Sequence, residues 1–460
     1  MKGRRIVVVG VLAVAVLFGL VGCDWFLAPV IPIVQTLGFA PQAGAVHTLV
    51  TVVGEGFGSS PGDGAVTFGG VEAVLETWSN TNIVVRVPVL ATPTGQRSAT
   101  VEVHKSGALL GMGTFTVLRG VLFETHRDGN SEIYVMNPDG TQPINLTDDS
   151  GRDTSAVWSP DGTKIAFETR RDGNSEIYVM GADGSNPTNL TNHPDSDYFP
   201  AWSPQGGKIA FMSNRENTGP PILDVTTKIT IGFNVEIFVM NEDGTGQTNL
   251  TNHVAWDGYP SWSPDGSKIV FQTDRDRTGL MMVAVIVGDL GQEIYAMDAD
   301  GSDQVRLSNN PEDDIYPSWS PDGSKIVFQS YRDGNAEIYA MNTDGTGQTR
   351  LTNHPDPDSM PTWSSDGGWI TFHSYRDGNP EIYKMTATGA SVTRLTNSSD
   401  LDWGPSWSPD GSQIAFQSSR DGNYEIYSMD ADGSHQQRLT NTIYLDWRPF
   451  WGTFGWMPPG

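Results

Sequence analysis

From residue 121 to near the C-terminus the chain alternates short apolar runs with clusters of Gly, Pro, Asp and Asn. Residues 326–328 (Ile-Val-Phe) and 338–341 (Ile-Tyr-Ala-Met) are typical runs, and Asp-Gly pairs stand between them. Each run is too short for a helix and is rich in β-branched and aromatic residues, so the pattern predicts strands. Asp-Gly between apolar runs is a hairpin signal. The runs are nearly continuous instead of alternating, which predicts sheets covered on both faces.

The pattern is periodic. A Glu-Ile-aromatic step begins at Glu132, Glu176, Glu236, Glu293, Glu337, Glu381 and Glu425, and a tryptophan falls at Trp158, Trp202, Trp262, Trp319, Trp363, Trp407 and Trp451. Both ladders step by 44, 60, 57, 44, 44 and 44 residues. A fixed period of this size marks a repeat architecture, in which each unit buries its apolar face on its neighbours. One unit reads as four strands: a Trp strand ending in Ser-Pro-Asp-Gly, a Lys-Ile-Val-Phe strand, a Glu-Ile-Tyr strand, and a short strand running into Leu-Thr.

Trp-Ser-Pro-Asp-Gly, Lys-Ile-Ala-Phe, Arg-Asp-Gly-Asn, Glu-Ile-Tyr and Leu-Thr recur in that order and resemble the TolB-type propeller repeat. The resemblance implies a β-propeller with the Trp strand innermost. The first unit lacks a Trp strand ahead of it, and the C-terminus offers one around Trp451 with nothing after it. The C-terminal strand is therefore expected to complete the first blade, leaving no open sheet edge.

Residues 31–118 lack the repeat. Runs at 49–53, 65–68, 82–87, 99–103 and 113–118 read as strands of a small sandwich. Gly-Glu-Gly-Phe-Gly at 54–58, Val-Thr-Phe-Gly-Gly at 66–70 and Trp78-Ser79 resemble the IPT/TIG branch of immunoglobulin-like domains, which implies a spacer or a protein-interaction module. The predicted fold is all-β: a seven-bladed β-propeller over 120–454, preceded by a small immunoglobulin-like β-sandwich over 31–118 and followed by a tail at 455–460. The junction at Arg119-Gly120 is too short for a flexible linker.

Lys2, Arg4 and Arg5 precede an apolar run at 6–20 that ends in Leu20-Val21-Gly22-Cys23. This arrangement predicts an export signal over 1–22. Leu-Val-Gly-Cys resembles the bacterial lipobox, implying a lipid on Cys23, a linker over 23–30, and a protein held on the extracytoplasmic side of a membrane by that lipid only. Cys23 is the sole cysteine, so no internal disulfide can form. The net charge of −26 repels nucleic acid and anionic lipid, and leaves basic partners or cations as the natural ligands.

Seven copies in one chain separate structural from functional positions. Asp153, Asp197, Asp257, Asp314, Asp358, Asp402 and Asp446 hold one place in every unit, and an arginine opens each second-to-third-strand loop. These aspartates read as structural acceptors for loop backbone or arginine, with an acidic ring around the channel mouth as the functional alternative. His193, His253 and His354 also share one place and point apart around a ring, so no metal site is expected from them. No cofactor is expected.

Residues that vary between units carry the candidate site. Tyr198, Phe199, Trp256, Tyr259, Tyr316, Trp403, Tyr444 and Trp447 crowd the entry to the Trp strands, and two insertions, at 217–235 and 277–292, lengthen the third and fourth units. The second insertion brings Leu280, Met281 and Met282 to the candidate face. Two extended hairpins are expected to project there. The sequence reading is a lipid-anchored cell-envelope scaffold, not an enzyme, that binds an envelope protein, a role that the TolB resemblance also implies. A basic segment or a glycan is an alternative ligand, and a polysaccharide lyase an alternative function.

Overall fold

The computed structural model describes residues 34–91, 96–215, 222–223, 230–232, 234–276 and 291–452. The leader at 1–22, the linker, Cys23, the tail at 455–460, and Leu280, Met281 and Met282 lie outside the described residues. Every regular element in the described part is a strand.

Seven four-stranded antiparallel sheets form the propeller. In the fifth, Asp314–Trp319, Lys325–Ser330, Glu337–Asn342 and Thr349–Arg350 pair in chain order. The two middle strands are buried along almost their whole length, which is why their sequences are continuously apolar. The Trp strands of neighbouring blades contact one another and so stand innermost. The first blade holds Val121–Thr125, Glu132–Met136 and Ile144–Asn145, and its innermost strand is the C-terminal Asp446–Phe450, with Leu122 opposite Phe450 and Thr125 opposite Asp446. The ring thus closes between the two ends of the propeller sequence.

Stacking between blades follows from residue size. Trp363, 7% exposed, packs with Val327 of the preceding blade, and its indole donates to Ser318 O at 3.2 Å. On the next turn Gly345 sits at φ 81°, and a Cβ there would meet Leu307 O of the preceding blade at 2.6 Å. Only glycine suits both the conformation and the space.

The N-terminal domain packs two sheets around Val50, Val52, Phe57, Phe68, Ile83, Val85, Val101, Val103 and Phe115. Gln96–Lys105 and Ala108–Leu118 run longer than the sequence predicts, and Gln35–Thr36, Gly38–Ala40, Ala43–Ala45 and Val74–Trp78 are additional strands. Gly111 and Gly113 weaken the strand signal. They also make room: a Cβ on them would lie 2.6 Å from Leu37 and 2.7 Å from Phe39.

The sandwich sits directly on the first two blades. Asn137 Oδ1 accepts from Ala45 N at 2.9 Å and Thr48 Oγ1 at 2.8 Å, both buried, and Gln142 Oε1 accepts from Leu49 N at 2.9 Å. Val46 and Val89 join the core of those blades. Arg119, 2% exposed, donates to Pro160 O and lies over Trp158, and a Cβ on Gly120 would meet Val135 at 2.5 Å.

Within the blade-three insertion, Ile222–Leu223 pairs antiparallel with Thr230–Gly232, and the residues that join them lie outside the described ones. The expected hairpin of blade four falls on residues 277–290, outside the described ones.

Candidate functional site

The inner strands carry a shared irregularity. In every blade the register with the second strand shifts at one place, so one residue bulges out of the ladder. The bulged residues are Ser155, Phe199, Tyr259, Tyr316, Met360, Gly404 and Arg448, with φ between 48° and 59°. Left-handed backbone is costly for bulky side chains, so it persists only where the surroundings impose it.

Those surroundings are visible. The bulged N–H of one blade donates to the second strand of the preceding blade: Tyr316 N to Gln272 Oε1 at 2.9 Å, Met360 N to Gln329 Oε1 at 3.1 Å, Arg448 N to Gln417 Oε1 at 3.1 Å, and Ser155 N to Glu124 Oε1 at 2.8 Å. Tyr259 N finds Met212 Sδ at 3.4 Å. The bulge is therefore built by the fold, while the side chain it presents is free to differ. It stands two residues in from the loop end of each inner strand.

Set at the same place on seven innermost strands, these positions form a collar around the ring. Phe199 and Tyr259 have ring centroids 5.8 Å apart, and Tyr259 and Tyr316 5.6 Å, so three successive blades give a continuous aromatic arc. Trp256 meets Tyr259 edge-on at 5.5 Å, and Tyr198 lies 6.5 Å from Phe199. Burial, with Tyr316 beside it, pushes the Tyr259 phenol up to about 12. The Arg448 charge acts on Tyr259 in the opposite sense, although the two stand three blades apart around the ring.

The other side of the collar is polar. Arg448 Nη1 and Trp447 Nε1 donate to Glu124, at 3.3 and 2.9 Å. A recess of about 30 Å³ opens beside small Ser155, lined by Glu124, Ala156, Val157, Arg448 and Phe450. Its size suits a single water molecule. Trp403 stacks on His373 at 5.0 Å, and burial pushes the His373 imidazole down to about 4, so it is neutral at physiological pH. Tyr444 lies at the rim, 43% exposed, between Ile443 at 87% and Leu445 at 37%.

The structure therefore brings Tyr198, Phe199, Trp256, Tyr259 and Tyr316 together, and places Trp403, Tyr444 and Trp447 at separate stations on the polar side. Sequence reasoning missed Arg448, Glu124, Met360 and His373. The internal comparison could have found them, since the residue at each of these places varies between units.

The seven repeat aspartates are 0% exposed. Each accepts from a loop arginine, as in Arg376 Nη2 to Asp358 Oδ2 at 2.7 Å or Arg332 Nη2 to Asp314 Oδ2 at 2.7 Å. The arginine in turn lies over two aromatic rings of its blade, Arg376 being 4.6 Å from Tyr383 and 5.9 Å from Phe372. Burial raises the Asp314 and Asp402 carboxyls to about 6 against the pull of these arginines. The aspartates are thus buried and each is engaged by an arginine of the loop beside it. His193, His253 and His354 each cap a different inter-blade seam through a backbone N–H to Glu176, Glu236 and Glu337.

Residues 118–231, 278–352 and 331–403 match the TolB beta propeller domain, together more than half of the chain. The chain belongs to the TolB β-propeller family. Residues 32–117 of this TolB-family chain match the IPT/TIG domain. An uncharacterized protein of Agrobacterium fabrum is 33% identical over 96 residues, which are 21% of this chain and 28% of that protein, so the likeness spans under a third of the relative. Among solved structures, an oligogalacturonate lyase of Vibrio parahaemolyticus shares 17% identity at TM-score 0.55, covering 81% of this chain and 98% of that one. A puromycin-hydrolyzing peptidase of Mycobacterium tuberculosis shares 11% identity at TM-score 0.54, covering 88% of this chain and 57% of that one.

At these identities the likeness shows the propeller fold alone, and it corrects the expectation that the chain is not an enzyme. The same scaffold houses a lyase and a peptidase. Seven-fold repetition argues for structure only at positions that repeat, and the collar positions do not, so the repeat pattern excludes no chemistry there. No helix among the described residues is long and apolar enough to cross a membrane.

Proposed function

We propose that this TolB-family propeller binds a protein of the cell envelope across its channel mouth, held to the membrane by a lipid on Cys23 and offset from it by the IPT/TIG domain. The observation that carries the reading is the collar. Seven backbone positions identical in geometry present Ser155, Phe199, Tyr259, Tyr316, Met360, Gly404 and Arg448, a set that is apolar on one side and polar on the other. Aromatic rings in a preformed concave site are the residues that dominate binding energy at protein interfaces. The net charge of −26 favours a segment with basic residues flanking its apolar anchor.

A crosslinking pulldown from native membranes tests this. The intact protein is expected to capture a partner that a Tyr259→Ser/Tyr316→Ser variant loses, since each hot-spot truncation costs about 2 kcal/mol or more. Equal capture by both would remove the collar from the reading. The continuous Phe199, Tyr259 and Tyr316 arc favours a second ligand class, a glycan whose sugar faces stack on the rings. Glycan-array binding that disappears in the same variant would select it.

A further inference from the structure

The seams between blades are not equivalent. Each seam joins the glutamate that opens the third strand of one blade to the repeat aspartate of the next, and the aspartate always has its arginine. In four successive seams the glutamate has an arginine of its own: Arg306 Nη2 to Glu293 at 2.5 Å, Arg350 to Glu337 at 2.7 Å, Arg394 to Glu381 at 2.7 Å and Arg438 to Glu425 at 2.9 Å. In the other three seams, also successive, the arginine position holds Asn145, Asn189 and Asn249.

The asparagines replace half of what arginine does. Arg350, Arg394 and Arg438 also reach an outer aspartate, Asp333, Asp377 and Asp421, at 3.3 to 3.4 Å. Asn145 and Asn189 keep that link, donating to Asp128 at 3.1 Å and Asp172 at 3.0 Å. Their Oδ1 atoms, and that of Asn249, accept from backbone N–H groups two residues on. The contact with the glutamate is what is lost. Glu132, Glu176 and Glu236, at most 3% exposed, are left with neutral donors: Thr147, Thr191 and Thr251 hydroxyls, the Asn174 and Asn234 amides, and the His193 and His253 backbone.

Facing Glu132 across its seam are Asp153 and Asp149, both held by Arg171. Facing Glu176 is Asp197 with Arg215, and His193 stands above, beside Asp195. Facing Glu236 is Asp257 with Arg275, and the His253 ring acts on Asp257. The outer Asp128 and Asp172 are engaged by Tyr134 and Tyr178. Each of these seams therefore buries more negative than positive charge.

We propose that the three arginine-less seams, from blade one to blade four, are proton-binding sites that make this arc of the propeller firmer as the surroundings acidify through neutrality. Burial carries Glu132 to about 7 and Glu236 to about 6, and raises Glu176. The sign follows from linkage: a carboxyl raised on folding gives stability that is fully present below its unfolded value and is lost as pH climbs through its folded one. The window is thus about pH 4.5 to 7. The same arc carries the docked IPT/TIG domain on its first two blades.

The test compares urea midpoints of the full chain at pH 5 and pH 8. An Asn145→Arg/Asn189→Arg/Asn249→Arg variant copies the other four seams, and its midpoint should exceed the wild type's at pH 8 by clearly more than at pH 5. Glu132→Gln supplies a second reading if that variant folds poorly: at pH 8 it should raise the midpoint, whereas Glu337→Gln, which strands Arg350, should lower it. Midpoints that fall for both glutamine variants at pH 8, or a triple variant displaced equally at both pH values, would overturn the proposal.

Discussion

Replacing Asp358 with alanine removes a carboxylate that no solvent reaches. Both of its oxygens accept from Arg376 Nη2, at 3.0 and 2.7 Å, and its backbone N donates to Ala336 O at 2.8 Å. The substitution leaves the backbone bond intact and strips the guanidinium of its counter-charge. Breaking a buried pair from one side costs about 3–5 kcal/mol, because the surviving charge stays buried. Arg376 is 18% exposed and rests on the Tyr383 ring, so the lower end, about 3 kcal/mol, applies. At about 1–2 °C per kcal/mol for a propeller of about 330 residues, thermal unfolding monitored by circular dichroism should shift down by about 3–6 °C. Arg376→Ala added to Asp358→Ala should cost less than the sum of the two single changes. An unchanged Tm together with lost partner capture would refute the reasoning, because it would make the aspartate a ligand-binding residue.

Asn137→Ala should loosen the domain junction by about 1–3 kcal/mol, since it leaves the Ala45 N–H and the Thr48 hydroxyl buried without an acceptor; faster hydrogen exchange at residues 43–49 with the propeller unchanged is the readout. Truncation after residue 445 removes the innermost strand of blade one and bares Val121–Thr125, so the chain should lose cooperative unfolding and aggregate, as light scattering would show. Cys23→Ser should move the protein from the membrane to the soluble fraction on ultracentrifugation.

The repeat, the blade number and the closing strand were legible because they rest on apolar periodicity, which the ring of stacked sheets imposes on every unit. Asp358 and Arg376 could be placed side by side because an aspartate and an arginine recur at those positions in every unit. The bulge was not legible. Phe199, Tyr259, Tyr316 and Met360 favour ordinary strand conformations, and their left-handed backbone is supported by groups of the neighbouring blade that the local sequence does not show: Gln272 and Gln329 bond the N–H groups of Tyr316 and Met360, and the Met212 sulfur meets that of Tyr259. The aromatic arc could be named from sequence but not assembled, since Tyr198 and Phe199 are adjacent in the chain and nothing in their order says that the Phe199 ring meets Tyr259 of the next blade. Asn137 carried no signal at all: it docks the sandwich on blade one through two bonds that occur once in the chain.

The most direct test of the collar as a binding site is site-specific photocrosslinking in native envelopes. A photoreactive residue in place of Tyr316, in the collar, is compared with one in place of Ser302, in a third-to-fourth-strand turn at the opposite end of the blades. A discrete adduct from position 316 and none from 302 is the result the account predicts. An adduct from 302 alone, or equal labelling from both, would contradict it.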